Sequence, residues 1–417
     1  MQMNRKSFLK ILGSAAPILA ANPLRAQKAQ ASDAQDAPFK FALPPYAISF
    51  DADSGYIVFA TNKNSVGEVE VEFESGEKTK FYASSETAGI KHAGLLHAVK
   101  IWGYRPGETL KYKVSATEII EYWTRIDKIE GRFKMGAKIT ADNGGEPMRL
   151  KMPAPSERLQ IGFVTDIHGG VKKLNTFLSK MKNADMIVMN GDMDNWLQTR
   201  GDIIERFMKH IAAAAGGSKR VYYARGNHEC RGRLAEAFSQ YAPFGGNRTY
   251  CGFRAGPAYC LILDSCEMSA DNHPASGGFV DLINWQKREA QWLAEEIKKP
   301  EFKNAPFRIV FQHIPIYTED KFMHNKRGSR MNKYNTFRKE LFYDNILSRA
   351  NIDLMVNGHT HEYGWAPKVE GLNFPVFICS NMEGAVFDID SKKITIRIFD
   401  AAGNPEHEVI TVASKRD

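Results

Sequence analysis

The sequence predicts an α/β fold preceded by a small all-β domain. In the first part of the chain apolar and polar residues alternate, as they do in residues 69–74, and a period of two is typical of half-buried strands. After about residue 155, short apolar runs alternate with helical stretches such as 281–299, which favours an α/β architecture. The length of 417 residues also suits two domains better than one.

Composition and charge exclude several classes of protein. Hydrophobic residues make up 43% of the chain and charged residues 25%, which is ordinary globular usage and excludes collagen-like, coiled-coil and wholly disordered chains. The formal net charge is +8, and Arg5, Lys6, Lys10 and Arg25 near the N-terminus account for half of it. The remaining surplus is too small to indicate a nucleic-acid surface, so no nucleic-acid partner is expected.

Residues 1–26 are predicted to be an export signal peptide. Arg5 and Lys6 precede an apolar core at 11–21, which is shorter than the about 20 residues that a membrane span requires. The run 4–10 resembles a twin-arginine signal with Arg-Lys in place of Arg-Arg, so an ordinary secretory signal and an uncleaved helix stay open as alternatives. We therefore expect a periplasmic or extracellular protein without a membrane span.

The predicted domain boundaries follow these changes of pattern. Residues 27–38 form a flexible spacer, 39–120 a β-sandwich, 121–155 a linker with connecting strands, and 156–417 the α/β domain. The five cysteines are an odd number, so at least one is unpaired. Cys251 and Cys260 flank a predicted turn, which allows either a cross-strand disulfide or two buried thiols.

Five apolar runs of the α/β domain end in residues that bind metals. These seven residues are Asp166, His168, Asp192, Asn227, His313, His359 and His361. Loops at the carboxyl ends of strands converge in α/β sheets, so these side chains are expected to lie together. Oxygen and imidazole ligands without thiolates suit Fe, Mn or Zn. Seven such ligands exceed the four of a structural zinc but suffice for two ions that share a carboxylate, a device for displacement at phosphorus.

The ordered motifs resemble those of the calcineurin-like metallophosphoesterase superfamily, from near residue 155 to the end. The stretch 96–114, with its Pro106-Gly107 turn, resembles the fibronectin-type N-terminal domain of purple acid phosphatases. The resemblance implies a four-layer α/β/β/α sandwich after the small all-β sandwich, and a centre of two divalent or trivalent ions. By position one ion would be held by Asp166, His168 and His361, the other by Asn227, His313 and His359, with Asp192 as the bridge.

The resemblance also implies a reaction and roles for further residues. A water or hydroxide between the two ions would attack phosphorus, and His228 would protonate the leaving oxygen. Arg225 resembles the arginine that binds substrate phosphate in protein serine/threonine phosphatases, with a structural ion pair as an equal alternative. Glu229 is expected to brace a loop, and Arg231 is expected to face solvent rather than the cleft.

Asn195 departs from the family pattern. The family often has Asp at this position, where it orients the catalytic histidine, so Asn195 predicts a less basic His228 unless Asp194 takes that place. Purple acid phosphatases have an iron-binding Tyr at the same position. Its absence, together with the presence of His168, argues against a purple iron–tyrosinate centre.

The preferred function is an exported dinuclear phosphoesterase that hydrolyses small phosphate monoesters. A phosphodiesterase or nucleotide hydrolase is the first alternative, and a noncatalytic surface-binding protein is the second. The basic stretch from Lys321 to Lys339 is interpreted as solvated surface, with a substrate lid as the alternative. The sequence makes no prediction of the oligomeric state.

Overall fold

The computed structural model describes residues 37–83, 89–267, 269, 271–316, 336–369 and 371–415. The predicted signal peptide lies outside the described residues, and so does the basic stretch up to residue 335. Among the helices that are described, none combines the length and apolar character needed to cross a membrane.

The part of the chain that the structure describes contains nineteen strands and five α-helices. The strands are β1 (Phe41–Ile48), β2 (Ser54–Glu72), β3 (Lys78–Tyr82), β4 (Ala93–Trp102), β5 (Thr109–Ile126), β6 (Ile129–Ala141), β7 (Met148–Lys151), β8 (Arg158–Val164), β9 (Met186–Met189), β10 (Arg220–Tyr223), β11 (Cys251–Ala255), β12 (Ala258–Leu263), β13 (Phe307–Gln312), β14 (Leu354–Asn357), β15 (Gly364–Ala366), β16 (Val376–Ile378), β17 (Glu383–Asp390), β18 (Lys393–Asp400) and β19 (Pro405–Ala413). The α-helices are α1 (Val171–Lys180), α2 (Arg200–Ile203), α3 (Lys209–Ala215), α4 (Leu282–Glu296) and α5 (Pro300–Lys303). Two π-helical turns are found at Ile204–Met208 and Lys339–Asp344, and 3₁₀ turns at His228–Cys230, Glu236–Gln240, Pro274–Ser276 and Leu347–Arg349.

Two sheets pack face to face. The first has the strand order β19-β18-β17-β8-β9-β10-β1-β2-β5-β6, and its strands β8, β9, β10 and β1 are parallel. The second has the order β11-β12-β13-β14-β16-β15, with β12, β13, β14 and β16 parallel. Phe163 and Phe387 of the first sheet meet Phe311 and Phe377 of the second, with neighbouring ring centroids 5.8 to 6.1 Å apart.

Helices cover the outer face of each sheet. Alternate residues of a strand point to opposite faces, so Phe163 lies between the sheets whereas Val164 packs under α1 with Leu174. On the other side, Leu293 of α4 packs on Val310 of the second sheet. The resulting α/β/β/α order confirms the predicted four-layer fold.

The β-rich segment that precedes β8 is joined to the α/β part through shared strand pairing, which differs from the separate sandwich expected from the sequence. β1 pairs in parallel with β10 at Ala47 and Arg220, and β2 pairs with β1. This pairing covers the edge of β10, whose hydrogen-bonding groups would otherwise be open to another strand. Most of the expected linker at 121–155 is occupied by the end of β5 and by β6 and β7.

All five cysteines lie among the described residues, and each is a free thiol. Cys251 and Cys260 are on the paired strands β11 and β12, but their register partners are Ile262 and Phe253. The two thiols are therefore not opposite each other. Of the two alternatives left open by the sequence, the structure has the buried thiols.

His97 is a fully buried histidine of β4. Its ring stacks on Phe59 with centroids 5.0 Å apart, and its Nε2 lies 2.9 Å from the Ser65 hydroxyl oxygen. Burial, with a smaller contribution from His92, lowers the pKa of His97 to about 4. The unfolded chain would bind this proton near pH 6.5. Stability therefore falls as the pH drops from 6.5 toward 4, because the unfolded state is protonated first.

We expect His97→Gln to reduce the acid sensitivity of the protein. Between pH 7 and pH 5 the wild type should lose about 2 kcal/mol of unfolding free energy through His97. Urea denaturation of both proteins at the two pH values measures this difference. His210→Gln, in the partly exposed histidine of α3, is the control. If wild type and His97→Gln lose equal stability, the assignment is wrong.

Candidate metal centre

The predicted metal ligands meet at one edge of the two sheets. Asp166 and His168 follow β8, Asp192 follows β9, Asn227 follows β10, His313 follows β13, and His359 and His361 follow β14. Among the described residues, ligand atoms within 4.8 Å of one another form three overlapping groups: Asp166, His168 and His361; His168, Asp192 and His228; and Asp192, His313 and His359. The first and third groups match the two ligand sets implied by the resemblance, to which Asn227 would be added.

The ligand atoms of the first group lie close enough together to share one cation. His168 Nε2 and His361 Nε2 face each other at 2.9 Å, and Asp166 Oδ1 lies 3.4 Å from His361 Nε2. His168 Nδ1 is 3.0 Å from Asn195 Oδ1. When the Nδ1–H group donates a hydrogen bond to this oxygen, Nε2 carries no proton. Its lone pair is then directed at the group, as a metal ligand requires.

The third group has the same design. His313 Nε2 lies 3.1 Å from Asp192 Oδ2, and His313 Nδ1 donates to the Asn190 carbonyl oxygen at 2.6 Å. Asn227 Oδ1 and Asp166 Oδ1 are buried and have no hydrogen-bond partner among the described residues. Buried acceptors of this kind are costly unless a cation or donor completes them. The carboxylate, amide and imidazole donors fit Fe, Mn or Zn.

Electrostatics prepare these side chains for cations. Burial opposes the charge of Asp192, but His313 outweighs it and lowers the pKa of Asp192 to about 2. Burial, followed by the charge of His313, lowers the pKa of His359 to about 3, so its imidazole is neutral. Burial would also lower the pKa of His313, but Asp192 and Asp166 raise it to about 10. A cation bound here replaces the proton of His313.

Backbone strain is concentrated in the ligands. Five of the seven have a left-handed backbone: Asp166 (φ 52°), His168 (50°), Asp192 (54°), His359 (72°) and His361 (64°). Residues other than glycine adopt this conformation rarely, and it clusters at functional sites. Gly191 (φ 87°) precedes the shared Asp192, and a Cβ there would lie 2.7 Å from the backbone of Gly226 and from the His313 ring. Only glycine lets these loops approach so closely.

Glu229 braces the loop that carries Asp192. Its buried Oε2 accepts from the backbone N–H groups of Asp192 and Gly226, each at 2.9 Å. Its Oε1 accepts from the Met193 N–H at 2.9 Å and from the Tyr223 hydroxyl at 2.7 Å. Burial and then the charge of Asp192 raise the pKa of Glu229, yet four donors point at its oxygens. The expected loop-bracing role agrees with this geometry.

Asn195 contacts two histidines through different atoms. Its side chain holds His168, whereas its main-chain oxygen lies 2.5 Å from His228 Nδ1. The side chain of Asn195 was expected to orient His228, but in the structure it contacts His168 instead. Asp194 does not take that place, because it pairs with Arg206 at 3.0 Å. The main-chain oxygen accepts a hydrogen bond from the Nδ1–H group, and this contact directs His228 Nε2 toward the two groups.

Asn195→Ala is expected to weaken metal binding more than proton transfer. The variant loses the hydrogen bond that orients His168, and changes of this kind cost about 10- to 100-fold in metal affinity. His228 keeps its main-chain partner, so kcat at saturating metal should change by less. Competition with a chelating indicator measures the affinity, and Asn284→Ala, in an exposed residue of α4, is the control. Unchanged metal affinity would refute the role of Asn195.

Arg225 forms an ion pair with a buried aspartate. Its Nη2 lies 2.7 Å and its Nε 3.2 Å from the two oxygens of the buried Asp264. Only 14% of its side chain is exposed. Of the two alternatives for Arg225, the geometry therefore favours the structural ion pair over a phosphate ligand.

Arg231, which was expected to face solvent, has 40% of its side chain exposed and also contacts His228. Its Nε and Nη2 bind the two oxygens of Glu267 at 2.6 and 3.0 Å. Its Nη1 is 3.2 Å from His228 Nε2. Sequence reasoning missed this residue because Glu267, which turns Arg231 inward, lies 36 positions further along the chain.

Comparisons with known proteins agree with the fold and the motifs. The family model for calcineurin-like phosphoesterases matches residues 159–363, a range that includes all seven predicted ligands. The fold is similar to a purple acid phosphatase from yellow lupin (Lupinus luteus), with 11% identity, 88% of this chain and 74% of that chain covered, and a TM-score of 0.59. It is also similar to PhoD, with 10% identity, coverage of 90% and 92%, and a TM-score of 0.52. The predicted superfamily is confirmed.

Proposed function

Residues 159–363 place this chain in the calcineurin-like phosphoesterase family, and we propose that this phosphoesterase is an exported phosphomonoesterase with a dinuclear metal centre. The observation that carries the proposal is the shared position of Asp192. Its carboxylate belongs to two of the three groups, one with His168 and His228 and one with His313 and His359. A carboxylate placed in this way can bridge two cations, which is the arrangement used for displacement at phosphorus.

Each side chain has a defined part in holding the ions. Asp166, His168 and His361 would bind one, and Asn227, His313 and His359 would bind the other, with Asp192 between them. When bound, two such ions supply the Lewis acidity that activates water and neutralises charge on the phosphoryl oxygens. Fe, Mn and Zn all fit this donor set.

His228 is the proposed general acid. Its Nδ1 is held by the main-chain oxygen of Asn195, so the ring cannot turn away from the centre. Its Nε2 lies 3.7 Å from Asp192 Oδ2, at the edge of the ligand groups. A proton carried at Nε2 can therefore pass to the leaving-group oxygen as the bond to phosphorus breaks.

A monoester substrate is the narrower part of the proposal. A phosphate monoester carries more negative charge than the matching diester, and the rim of the centre offers Arg231 beside His228. The similarity of fold to a purple acid phosphatase extends over most of the chain and supports the same choice. The sequence also suggested Arg225 as a ligand of the monoester phosphate. The ion pair of Arg225 with Asp264 weakens that argument for a monoester substrate.

Export is supported by residues 1–26, in which Arg5 and Lys6 precede a short apolar core. We expect cell fractionation to find the protein in the periplasm or medium, and mass spectrometry to find its N-terminus shortened. Replacing Arg5 and Lys6 by Gln should retain the full-length chain in the cytoplasm. Unchanged export of that variant would contradict the assignment.

The function is tested by comparing a chromogenic phosphate monoester with its matching diester. One batch of protein is assayed as purified, after chelation, and after addition of Mn, Zn or Fe. Faster hydrolysis of the monoester that chelation abolishes and one metal restores would support the proposal. Faster hydrolysis of the diester would favour a phosphodiesterase or nucleotide hydrolase. A protein that binds none of these metals would contradict the dinuclear centre.

A further inference from the structure

We propose that Arg231, and not Arg225, is the arginine that binds the substrate phosphate, and that Glu267 positions it. This inference rests on the proposed function, because it assigns a binding partner to the phosphoryl group of the substrate. It moves the phosphate contact from the arginine that precedes the Gly226-Asn227-His228-Glu229 motif to one that follows it. The contacts of the two guanidinium groups support this assignment.

The guanidinium of Arg231 is fixed along one edge and directed at the centre along the other. Nε and Nη2 form a two-point ion pair with Glu267, at 2.6 and 3.0 Å. This pair sets the plane of the group and places Nη1 at 3.2 Å from His228 Nε2. His228 Nε2 in turn is 3.7 Å from the shared Asp192. His228 therefore lies between Nη1 of Arg231 and the carboxylate of Asp192.

Arg231 and a protonated His228 can both donate hydrogen bonds to one phosphate oxygen. Nη1 lies 3.5 Å from His228 Nδ1 and 3.2 Å from His228 Nε2, so it sits against the imidazole ring beside Nε2. A general acid needs a proton on this same nitrogen. With that proton in place, Nε2 and Nη1 are two neighbouring donors, and a phosphate oxygen within reach of both can accept from both. An arginine N–H and a charged oxygen form one of the stronger hydrogen bonds in proteins.

Accessibility separates the two arginines. Arg231 has 40% of its side chain exposed despite its ion pair, so a ligand can reach it. Arg225 has 14% exposed, and its partner Asp264 is fully buried. Asp264 also accepts from Thr249 and from Trp285 Nε1, which ties this pair into the protein interior. Withdrawing Arg225 to reach a ligand would leave a buried carboxylate without its cation.

The test is made on the metal-loaded, full-length protein with inorganic phosphate as the probe. Arg231→Gln should weaken phosphate binding, measured by titration calorimetry, by about 10- to 100-fold, the range expected for a lost charged hydrogen bond. It should raise KM for a phosphate monoester more than it lowers kcat, with the metal content unchanged. Arg231→Lys keeps the positive charge but loses the planar guanidinium group, so its phosphate affinity should lie between those of the wild type and Arg231→Gln.

Two further variants separate a ligand contact from a structural effect. Guanidinium ion added to Arg231→Ala should restore part of the phosphate affinity, which a merely structural role would not allow. Glu267→Gln should also raise KM, but by less, because Arg231 keeps its charge and loses its position. Arg233→Gln, in an exposed arginine of the same loop, is the control and should bind phosphate as the wild type does.

The outcomes distinguish this inference from the proposed function. If Arg231→Gln binds phosphate as well as the wild type, or if Arg225→Gln weakens binding more, the inference is overturned and the phosphatase proposal stands. If phosphate binds in an Arg231-dependent way but neither ester is hydrolysed, the proposed function is overturned and the inference stands.

Discussion

Asp192→Asn should lower kcat/KM for a phosphate monoester on the order of 10⁴-fold while the chain stays folded. The carboxylate belongs to two ligand groups, so its loss removes the negative charge that both cations share. Asparagine has the same shape and tolerates the left-handed backbone at φ 54°. The substitution therefore changes charge and leaves the loop in place, which an alanine would not do.

Steady-state kinetics, circular dichroism and metal analysis together measure this effect. We expect the variant to bind fewer metal ions per chain than the wild type at the same free metal concentration. Asp185→Asn is the matched control, because Asp185 stands just before the other end of the same strand, β9, and is exposed. A variant within tenfold of the wild-type kcat/KM would show that Asp192 does not bridge two ions.

Glu229→Gln should lower the unfolding free energy by about 3 kcal/mol, since it leaves buried donors without an acceptor. Four donors point at the two carboxylate oxygens. The amide nitrogen of glutamine would face at least one backbone N–H group at close range. In its best orientation it faces the Met193 N–H, while the Tyr223 hydroxyl turns to accept from it.

Activity should fall with stability in this variant, because the amide that faces the Met193 N–H disturbs the loop that carries Asp192. Chemical denaturation and metal titration measure the two effects. Tyr223→Phe removes only one of the four donors and should cost about 1 kcal/mol. Equal stability of Glu229→Gln and the wild type would show that the carboxylate does not brace the loop. A larger loss in Tyr223→Phe than in Glu229→Gln would place the support elsewhere.

The fold and the ligand sets were predictable because their signals are local. A strand with alternating burial shows its two faces in its own sequence, as residues 69–72 of β2 do. Ligands at the carboxyl ends of parallel strands converge wherever the strands pair. The order of Asp166, Asp192, Asn227, His313 and His359 after successive apolar runs was therefore enough to predict the centre.

The chain order alone could not say which strands pair across long separations. β1 joins β10 through Ala47 and Arg220, residues far apart in sequence, and this contact merges the β-rich segment with the α/β part. Neither strand carries a pattern that names its partner, because hydrogen bonding between strands is made by the backbone and is common to all residues.

The sequence, together with the family that its motifs resemble, thus predicted the layered fold, the two proposed ligand sets and the brace at Glu229. Only the tertiary structure decided the partners of the charged side chains: Asp264 for Arg225, Glu267 for Arg231, and the main-chain oxygen of Asn195 for His228. The physical reason is that an ion pair depends on where two distant loops place their atoms. Two arginines six residues apart consequently have different surroundings: Arg225 pairs with the fully buried Asp264, whereas Arg231 pairs with Glu267 and contacts His228.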